Sequence, residues 1–416
     1  MQLKQYIKDA KEFVQPLAGQ LGSLKEGVEY HREIGSIIER LPDPTRVQMR
    51  NIIDHCLLYM NENEASDIDL GGPGCKGAIW YRVHGDKTPI ESKAKLTLVE
   101  SDFLLHNLLE PSQRQELTEN KNLDFSYAVE PEEENAKPQR YRADLYFDMD
   151  HLGLNMRKID NTIRPFSTLE LHPEVAKKLS LKHQKFGLTL VTGITGSGKS
   201  STLDTIIDAN NRTVDAHIVV IASPVELIHT PLRSVVRHRE VGRDVPSFKA
   251  GAIQALRQDP DIIVIGELRD PETIMTSLEI TDSGHKTFGT LHTSSTMESV
   301  ERILGEVPVN EQNRIRNRLA DVLTCVISQK LVPTLDGRRI LAKEVLLVTS
   351  SVKAAIRNNN ISEIYQMLME GSNRGMNTME QDLKRLYEMG KISKEVAENN
   401  ANNKKRLAQL LSQTVY

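Results

Sequence analysis

The N-terminal part of the chain alternates between apolar and charged positions with the spacing of helices that bury one face. Residues 1–45 carry apolar side chains at this spacing, and Pro42 and Pro44 then interrupt it. The pattern resumes between Ile52 and Met60. We therefore predict two amphipathic helices within residues 1–45 and a third helix after the prolines.

Beyond residue 66 the apolar runs become shorter and turn residues separate them, which indicates strands mixed with helices. Residues 99–119 have a helical pattern. The connection 129–139 contains Glu132, Glu133 and Glu134, and its acidity is typical of a solvated loop. The predicted strands are 67–70, 78–83, 123–129, 140–147 and 153–159.

From residue 186 buried strands alternate with helical stretches, a pattern typical of a parallel sheet covered on both faces. The predicted strands there are 188–192, 217–221, 262–265 and 286–290. Residues 361–416 are polar, rich in asparagine and helical in pattern. The predicted division is a helical extension at 1–50, an α/β domain at 51–165, a linker at 166–185, a second α/β domain at 186–350 and a helical region at 351–416.

Composition narrows the functional classes. The 416 residues are 39% hydrophobic and 26% charged, with a formal net charge of −4, which gives no overall footprint for nucleic acid. No apolar run is long enough for a membrane span, and the N-terminus has charges where a signal peptide would be apolar. Cys56, Cys75 and Cys325 are scattered, so we expect a reducing compartment, the cytoplasm.

The most specific motif is Gly193-Ile-Thr-Gly-Ser-Gly-Lys-Ser200, which matches the P-loop pattern between an apolar strand and a helix. Its glycines let backbone N–H groups point at phosphate oxygens. Lys199 is expected to reach the β- and γ-phosphates, and Ser200 to ligate Mg²⁺. A glycine-rich turn without a nucleotide is the alternative. The predicted ATP-binding residues here are Gly193, Thr195, Gly196, Ser197, Gly198, Lys199, Ser200 and Ser201.

A P-loop enzyme also needs a carboxylate at the tip of a neighbouring strand. Asp261-Ile-Ile-Val-Ile-Gly-Glu267 provides one, because four apolar residues form the strand and Gly266 leaves space beside Glu267. We predict that Glu267 positions or deprotonates the attacking water. A surface glutamate is the alternative, and Asp261, at the opposite end of the strand, is interpreted as structural.

Gly284-His-Lys-Thr-Phe-Gly-Thr-Leu-His-Thr293 runs through a further strand into a loop. His292 follows the strand end, where a γ-phosphate is expected, so it is predicted to sense or hydrogen-bond that phosphate. A satisfied structural histidine is the alternative, and it has more weight for His285 at the other end of the strand.

Together these segments resemble the secretion and type IV pilus ATPases, and most closely their PilT-like retraction branch. Further similarity lies in Arg239–Arg243, in Pro224-Val-Glu226 and in Ala65–Leu70, which resembles the start of that family's N-terminal PAS-like domain. Gly375–Asp382 resembles its C-terminal helical region. The implied fold is α/β: a RecA-like P-loop NTPase domain, an N-terminal PAS-like domain, and helical N- and C-terminal extensions.

The resemblance implies a ring-shaped homohexamer at the inner face of the bacterial cytoplasmic membrane, working with a membrane platform protein of a pilus or secretion machine. It also implies that arginines of the N-terminal domain reach the phosphates. Arg140, Arg142 and Arg157 lie on the matching strands, with a plain surface role as the alternative. Glu226, the retained acid of the family's Asp box, is a third predicted catalytic residue.

This chain departs from the family where the Asp box normally opens with two acids. Ala222 and Ser223 stand there instead, which removes negative charge from the surroundings of the metal. Three scattered cysteines also cannot form the four-cysteine zinc site of the assembly branch.

The expected function is therefore an ATPase motor for pilus retraction, as in twitching motility, or for a type IV secretion machine. One alternative is an ATP-binding regulatory or scaffold subunit with weak hydrolysis, because the Asp box is altered. A nucleic-acid motor is disfavoured, since aromatic residues make up only 5% of the chain and basic residues are dispersed.

Overall fold

The computed structural model describes residues 8, 12–23, 26–89, 95–130, 138–160 and 162–412. The chain divides into two compact units, Met1–Asn161 and Thr162–Tyr416. Most of the predicted acidic loop, residues 131–137, and the start of the first predicted helix lie outside the described residues. The five-part division of the chain stays a prediction.

In the first unit the helical segments expected before residue 45 are present at 12–18 and in α1. The single helix predicted at 99–119 is wrong, because two helices occupy this range. Glu110 lies between them and Pro111 opens the second, where a missing N–H costs nothing. The helices are α1 (Gly27–Glu39), α2 (Asp43–Glu62), α3 (Leu98–His106) and α4 (Pro111–Asn120).

Six strands of the first unit's described residues form an antiparallel sheet in the order β3-β2-β1-β6-β5-β4. Buried side chains of the strands, such as Ile68 and Leu154, share one apolar cluster with Ile34 and Phe103 of the helices. The strands are β1 (Ala65–Gly71), β2 (Trp80–Val83), β3 (Asp86–Pro89), β4 (Asn122–Val129), β5 (Gln139–Asp148) and β6 (His151–Lys158).

The second unit contains a seven-stranded sheet in the order β13-β12-β7-β11-β10-β8-β9. Neighbours are parallel from β12 to β9, and β13 is antiparallel. All residues of the three central strands β7, β11 and β10 are buried, as expected for a sheet covered on both faces. The strands are β7 (Gly187–Thr192), β8 (His217–Ala222), β9 (Val235–Glu240), β10 (Ile262–Ile265), β11 (Lys286–Leu291), β12 (Leu323–Pro333) and β13 (Arg339–Leu347).

Helices connect these strands and continue to the C-terminal region, where helices separated by short turns occupy most of residues 361–412, in agreement with the predicted helical pattern. They are α5 (Pro173–Leu179), α6 (Lys199–Thr213), α7 (Phe248–Ala255), α8 (Pro271–Asp282), α9 (Thr296–Gly305), α10 (Val309–Val322), α11 (Ser350–Arg357), α12 (Glu363–Glu370), α13 (Met379–Glu388), α14 (Lys394–Asn400) and α15 (Lys404–Ser412). The predicted α/β class with a RecA-like domain is confirmed. Because β7, β10 and β11 are parallel, their carboxyl ends meet at one sheet edge, where such folds bind ligands.

Candidate active site

The loop that joins β7 to α6 has a backbone path that requires glycine at its first position. Gly193 has a φ of +152°, and a Cβ added there would lie 2.4 Å from Ser197 Oγ and 2.5 Å from the carbonyl oxygen of Gln329. Gly196 and Gly198 also have positive φ values, +78° and +86°. The glycine spacing of the motif therefore corresponds to a tight loop that ends at the N-terminus of α6.

Lys199, the first residue of α6, turns its side chain back over this loop. Its ammonium donates hydrogen bonds to the carbonyl oxygens of Gly193 (2.8 Å) and Ile194 (3.1 Å). Burial lowers the pKa of Lys199, and the nearby charge of Glu267 opposes that shift. Ser200 follows in the first turn of α6 with its side chain exposed.

Glu267 and His292 follow the ends of β10 and β11, and the structure brings both to Lys199. His292 Nε2 lies 3.4 Å from Glu267 Oε1, and the Lys199 ammonium lies 3.5 Å from His292 Nδ1. Since an ammonium can only donate, Nδ1 accepts and the ring hydrogen is on Nε2, facing the carboxylate. Burial, and next the charge of Lys199, lower the pKa of His292, while Glu267 opposes them. The imidazole is therefore neutral at neutral pH.

Close backbone packing fixes the loop that carries Glu267. A Cβ on Gly266 would lie 3.1 Å from the carbonyl oxygen of Ile221, so this glycine lets β10 and β8 end close together. The Gly266 N–H donates to the same carbonyl at 2.8 Å, and Leu268 N–H donates to the Thr290 carbonyl at 2.9 Å. The carboxylate thus starts from a backbone bonded to the strands on both sides.

The altered Asp box lies at the end of β8. Ala222 is the last residue of this strand, and Ser223 is exposed and precedes a cis peptide bond to Pro224. Glu226 is half-buried in the following loop. Its catalytic role, like those of Glu267 and His292, stays a prediction.

An acid–imidazole group that was not predicted from the sequence includes a residue of α6. Asp204 lies one helical turn after Ser200 on the same helix face, and its Oδ1 is 3.0 Å from His229 Nε2. The His229 N–H donates to His238 Nε2 at 3.1 Å, and the two rings stack 5.7 Å apart. Burial raises the pKa of Asp204, and His229 opposes the shift. The four-residue spacing to Ser200 was visible in the sequence, whereas the contact with His229 was not.

Gln329 of β12 is a second residue that the sequence analysis missed. Its side-chain Nε2 donates to the carbonyl oxygen of Ser197 at 2.8 Å, so this hydrogen bond connects β12 to the phosphate loop. Gln329 also lies directly opposite Lys343 in the register of β12 and β13. No local motif marks it, since more than 130 residues separate it from the loop it contacts.

The other histidine and aspartate of the motif segments have structural contacts. His285 Nδ1 lies 3.1 Å from Ser283 Oγ and 3.3 Å from the Ile280 carbonyl oxygen, at the end of β11 away from Lys199. Asp261 Oδ2 accepts the His217 N–H at 2.8 Å. Both contacts agree with the structural interpretation of these two residues.

The three predicted arginines belong to the first unit. Arg142 and Arg157 are paired across β5 and β6, so their side chains share one face of the antiparallel sheet. Arg157 Nε donates to Asp67 Oδ1 at 2.7 Å, and Arg142 Nε lies 3.4 Å from Asp124 Oδ1. Arg140 is on the same strand, two residues before Arg142, and is half-buried. Their contact with phosphate stays a prediction.

A parallel sheet with a P-loop after the central strand β7, and with an imidazole and a carboxylate after the next two strands of the sheet, β11 and β10, defines a P-loop ATPase of the RecA-like class. Comparison with known proteins then gives the family. The model of the Type II/IV secretion system protein family matches residues 151–415, and the chain belongs to this family.

Similarity to individual members extends over most of the chain. The chain is 35% identical to a twitching motility protein of Neisseria gonorrhoeae, over 79% of this chain and 85% of the relative. It is 34% identical to the type IV pilus retraction ATPase PilT of Pseudomonas aeruginosa, over 84% of this chain and 98% of the relative. The crystal structure of the pilus retraction motor PilT with bound ADP superposes with a TM-score of 0.74 at 34% identity, covering 85% of this chain and 98% of that one. The predicted PilT-like family and ATPase activity are therefore confirmed.

None of the helices among the described residues combines the length and apolar character needed to cross a membrane. Within the same residues, histidine, cysteine and acidic side chains form no group of three or more that would hold a metal ion.

Proposed function

We propose that this protein is the ATP-hydrolysing subunit of a type IV pilus retraction motor. The observation that carries the proposal is the convergence of Lys199, Glu267 and His292 at one sheet edge, beside a loop whose glycines are conformationally required. The names of the two relatives, a twitching motility protein and a retraction ATPase, favour retraction over other tasks of the family.

The residues present suit a magnesium nucleotide. Ser197 is buried, and its hydroxyl has no hydrogen-bond partner in the part of the chain that the structure describes. Thr195, Gly196, Ser200 and Ser201 are exposed around the α6 N-terminus, which favours anions. Ser200 would supply a hydroxyl oxygen to Mg²⁺, which prefers oxygen ligands and offsets phosphate charge when bound.

In this proposal each side chain has one task. Lys199 exchanges its two loop carbonyls for phosphate oxygens. Glu267 accepts a hydrogen bond from the attacking water and takes its proton. His292 is neutral and presents its Nε2 hydrogen toward Glu267, so it can report to the carboxylate whether a phosphate is present. Glu226, the retained acid of the Asp box, would supply part of the negative charge that the two missing acids usually provide near the metal.

We also propose a homohexamer at the cytoplasmic face of the membrane that engages a platform protein, with arginines of the first unit completing the nucleotide sites. Arg140, Arg142 and Arg157 share one sheet face, which would let them act on one phosphate group. Particle size measured with and without ATP tests the assembly. A monomer under all conditions would contradict it.

Steady-state ATPase activity of Glu267→Gln tests the catalytic part. We expect turnover to fall by about 100-fold or more, since general-base catalysis contributes about 10² to 10⁴ in rate. The matched control is Glu272→Gln. Glu272 is an exposed glutamate in the first turn of α8, and it pairs with Lys249 of α7. Full activity of Glu267→Gln would contradict the assignment.

The altered Asp box supports a second candidate, an ATP-binding regulatory subunit with slow hydrolysis. Ala222→Glu combined with Ser223→Asp would restore the two acids. A large gain in turnover supports the regulatory subunit, whereas robust hydrolysis by the native protein and no gain support the motor. Deletion in the cell separates retraction from secretion, because non-retracting hyperpiliated cells indicate retraction and lost export with normal pili indicates secretion.

A further inference from the structure

The second unit contains a cavity of about 280 Å³ that shares no lining residue with the candidate active site. Its walls come from the segment 170–172 before α5, from β13, and from the 372–377 turn that leads into α13. Leu171, Val345 and Met376 give it an apolar side, and Lys343, Arg385 and His172 give it a polar side.

Lys343 is the first unusual group in this cavity. The residue is only 5% exposed, and burial lowers its pKa, although the charge of Asp382 opposes the shift. Its backbone N–H donates to Asp382 Oδ2 at 2.9 Å. Lys343 lines the cavity, and among the residues that the structure describes its ammonium makes neither a hydrogen bond nor an ion pair.

Arg385 is the second such group, because its carboxylate partners use only part of its guanidinium. Nε donates to Asp382 Oδ1 at 2.8 Å, and Nη1 donates to Glu170 Oε2 at 2.9 Å. Nη2 is buried and has no partner in the described part of the chain.

His172 adds a third donor. Its Nδ1 accepts the Glu174 N–H at 3.2 Å, so the hydrogen of the neutral ring is on Nε2. Both carboxylates of the polar wall, Asp382 and Glu170, already pair with Arg385, whereas the ammonium of Lys343 and Nη2 of Arg385 have no partner among the described residues. An anion with several oxygen atoms would satisfy these unpartnered cationic donors together.

We propose that this cavity is a binding site for a small oxyanion, a phosphate or carboxylate group, bound by Lys343, Arg385 and His172. The volume admits the oxyanion together with a small organic body, which would pack on the apolar side against Leu171, Val345 and Met376. A bound anion would connect the segment before α5 to α13 and so stiffen the beginning of the second unit.

The test uses full-length protein with Lys199→Ala, so that the phosphate loop does not compete for the probes. Inorganic phosphate and malonate are titrated separately by calorimetry, and a methyl phosphate ester tests whether an organic body improves binding. We expect saturable binding at one site per chain. Lys343→Met should weaken it about tenfold or more, since hydrogen bonds to charged groups each contribute about 1.5–3 kcal/mol.

Lys394→Met is the matched control, because the Lys394 side chain is 62% exposed and pairs with Glu398 on its own helix. Its anion affinity should equal that of the Lys199→Ala parent. If circular dichroism shows that Lys343→Met does not fold, His172→Ala replaces it with the same expected loss. Absence of saturable binding by both probes, or equal affinity in the cavity variants and the control, overturns the proposal. ATP binding by the native protein is measured separately, so failure here is distinct from failure of the motor assignment.

Discussion

At the residue scale, Lys199 already has two acceptors in the loop that it serves. The ammonium lies 2.8 and 3.1 Å from the carbonyl oxygens of Gly193 and Ile194, and burial lowers its pKa. A phosphate replaces these neutral acceptors with anionic ones, which adds a direct attraction between opposite charges to the hydrogen bonds.

Lys199→Ala should therefore weaken ATP binding by about 100-fold, because the compensating charge is lost. Calorimetric titration of ATP with magnesium measures the change. Lys249→Ala, which removes an exposed lysine paired with Glu272, is the control and should bind normally. Equal affinities for the two variants would show that the loop amides alone hold the nucleotide.

His292→Ala should retain ATP binding but lose most turnover, since the ring contacts Lys199 and Glu267 while the loop provides the main phosphate contacts. Steady-state rates and affinities measured on the same preparation separate the two effects. His285→Ala, at the opposite end of β11, is the control and should remain active. Turnover near the native rate in His292→Ala would make the residue structural.

Residues of the site differ in how far the sequence reveals them. The phosphate loop is contiguous, and Glu267 and His292 each follow a buried strand, so strand position alone predicted that they would be close. Gln329 and His229 were missed because they act through contacts with distant residues, and neither lies in a short motif.

At the element scale, helices and buried strands were predicted better than amphipathic or edge strands. β10 is a continuous apolar run, whereas β9 carries Arg237, His238 and Arg239 at the sheet edge. β12 and β13 were also missed, since polar residues such as Gln329 interrupt their apolar runs. The local sequence pattern cannot show which strand will lie next to a polar residue, because distant segments of the chain set the order of strands in the sheet.

Helices α1 and α3 meet through a buried histidine pair that makes the first unit sensitive to pH. His31 Nε2 donates to the Asp150 carbonyl at 2.7 Å, so its Nδ1 accepts from His106 Nε2 at 2.9 Å. Burial is the main cause that lowers the pKa of both histidines. For His31, the hydrogen bond to Asp150 and the charge of Asp102 oppose this shift without reversing it. A proton on the pair would break this arrangement of donor and acceptor.

Because the unfolded histidines bind protons below pH about 6.5 and the folded ones do not, the free energy of unfolding should fall as pH falls. We expect the pair to contribute a loss of about 1 to 3 kcal/mol between pH 7.5 and 5.5. Denaturant titration followed by the fluorescence of Trp80, the only tryptophan in the chain, reports on the first unit.

His106→Gln should make the pH dependence shallower, whatever its effect on absolute stability. His84→Gln, which replaces an exposed histidine of the same unit, is the control and should keep the native slope. If both variants retain the native slope, other groups cause the pH dependence.

At the scale of the whole molecule, the two units have separate apolar cores. Lys199, Glu267 and His292 all belong to the second unit, whereas the three predicted arginines belong to the first. Nucleotide binding and full hydrolysis therefore draw on different parts of the chain in the proposed mechanism.

We predict that residues 162–416 alone bind ATP with an affinity within about threefold of the full chain but hydrolyse it at least 100-fold more slowly. Removing an arginine that stabilises phosphoryl transfer costs about 10³ to 10⁵ in rate. Calorimetry and steady-state assays measure the two quantities. The full chain with both Arg142→Ala and Arg157→Ala should show the same separation, and full turnover by the fragment would exclude the arginines from the reaction.

The pairing of β12 with β13 has a thermodynamic consequence. Gln329, which holds Ser197 of the phosphate loop, is the direct register partner of Lys343, the lysine of the oxyanion cavity. If a ligand in the cavity shifts this strand pair and changes the affinity for nucleotide by some factor, the nucleotide must change the affinity of the cavity for its ligand by the same factor, because coupling free energies are reciprocal. The affinity of the cavity for phosphate, measured with and without bound ADP, gives a ratio. This ratio equals the factor by which phosphate in the cavity changes the affinity for ADP.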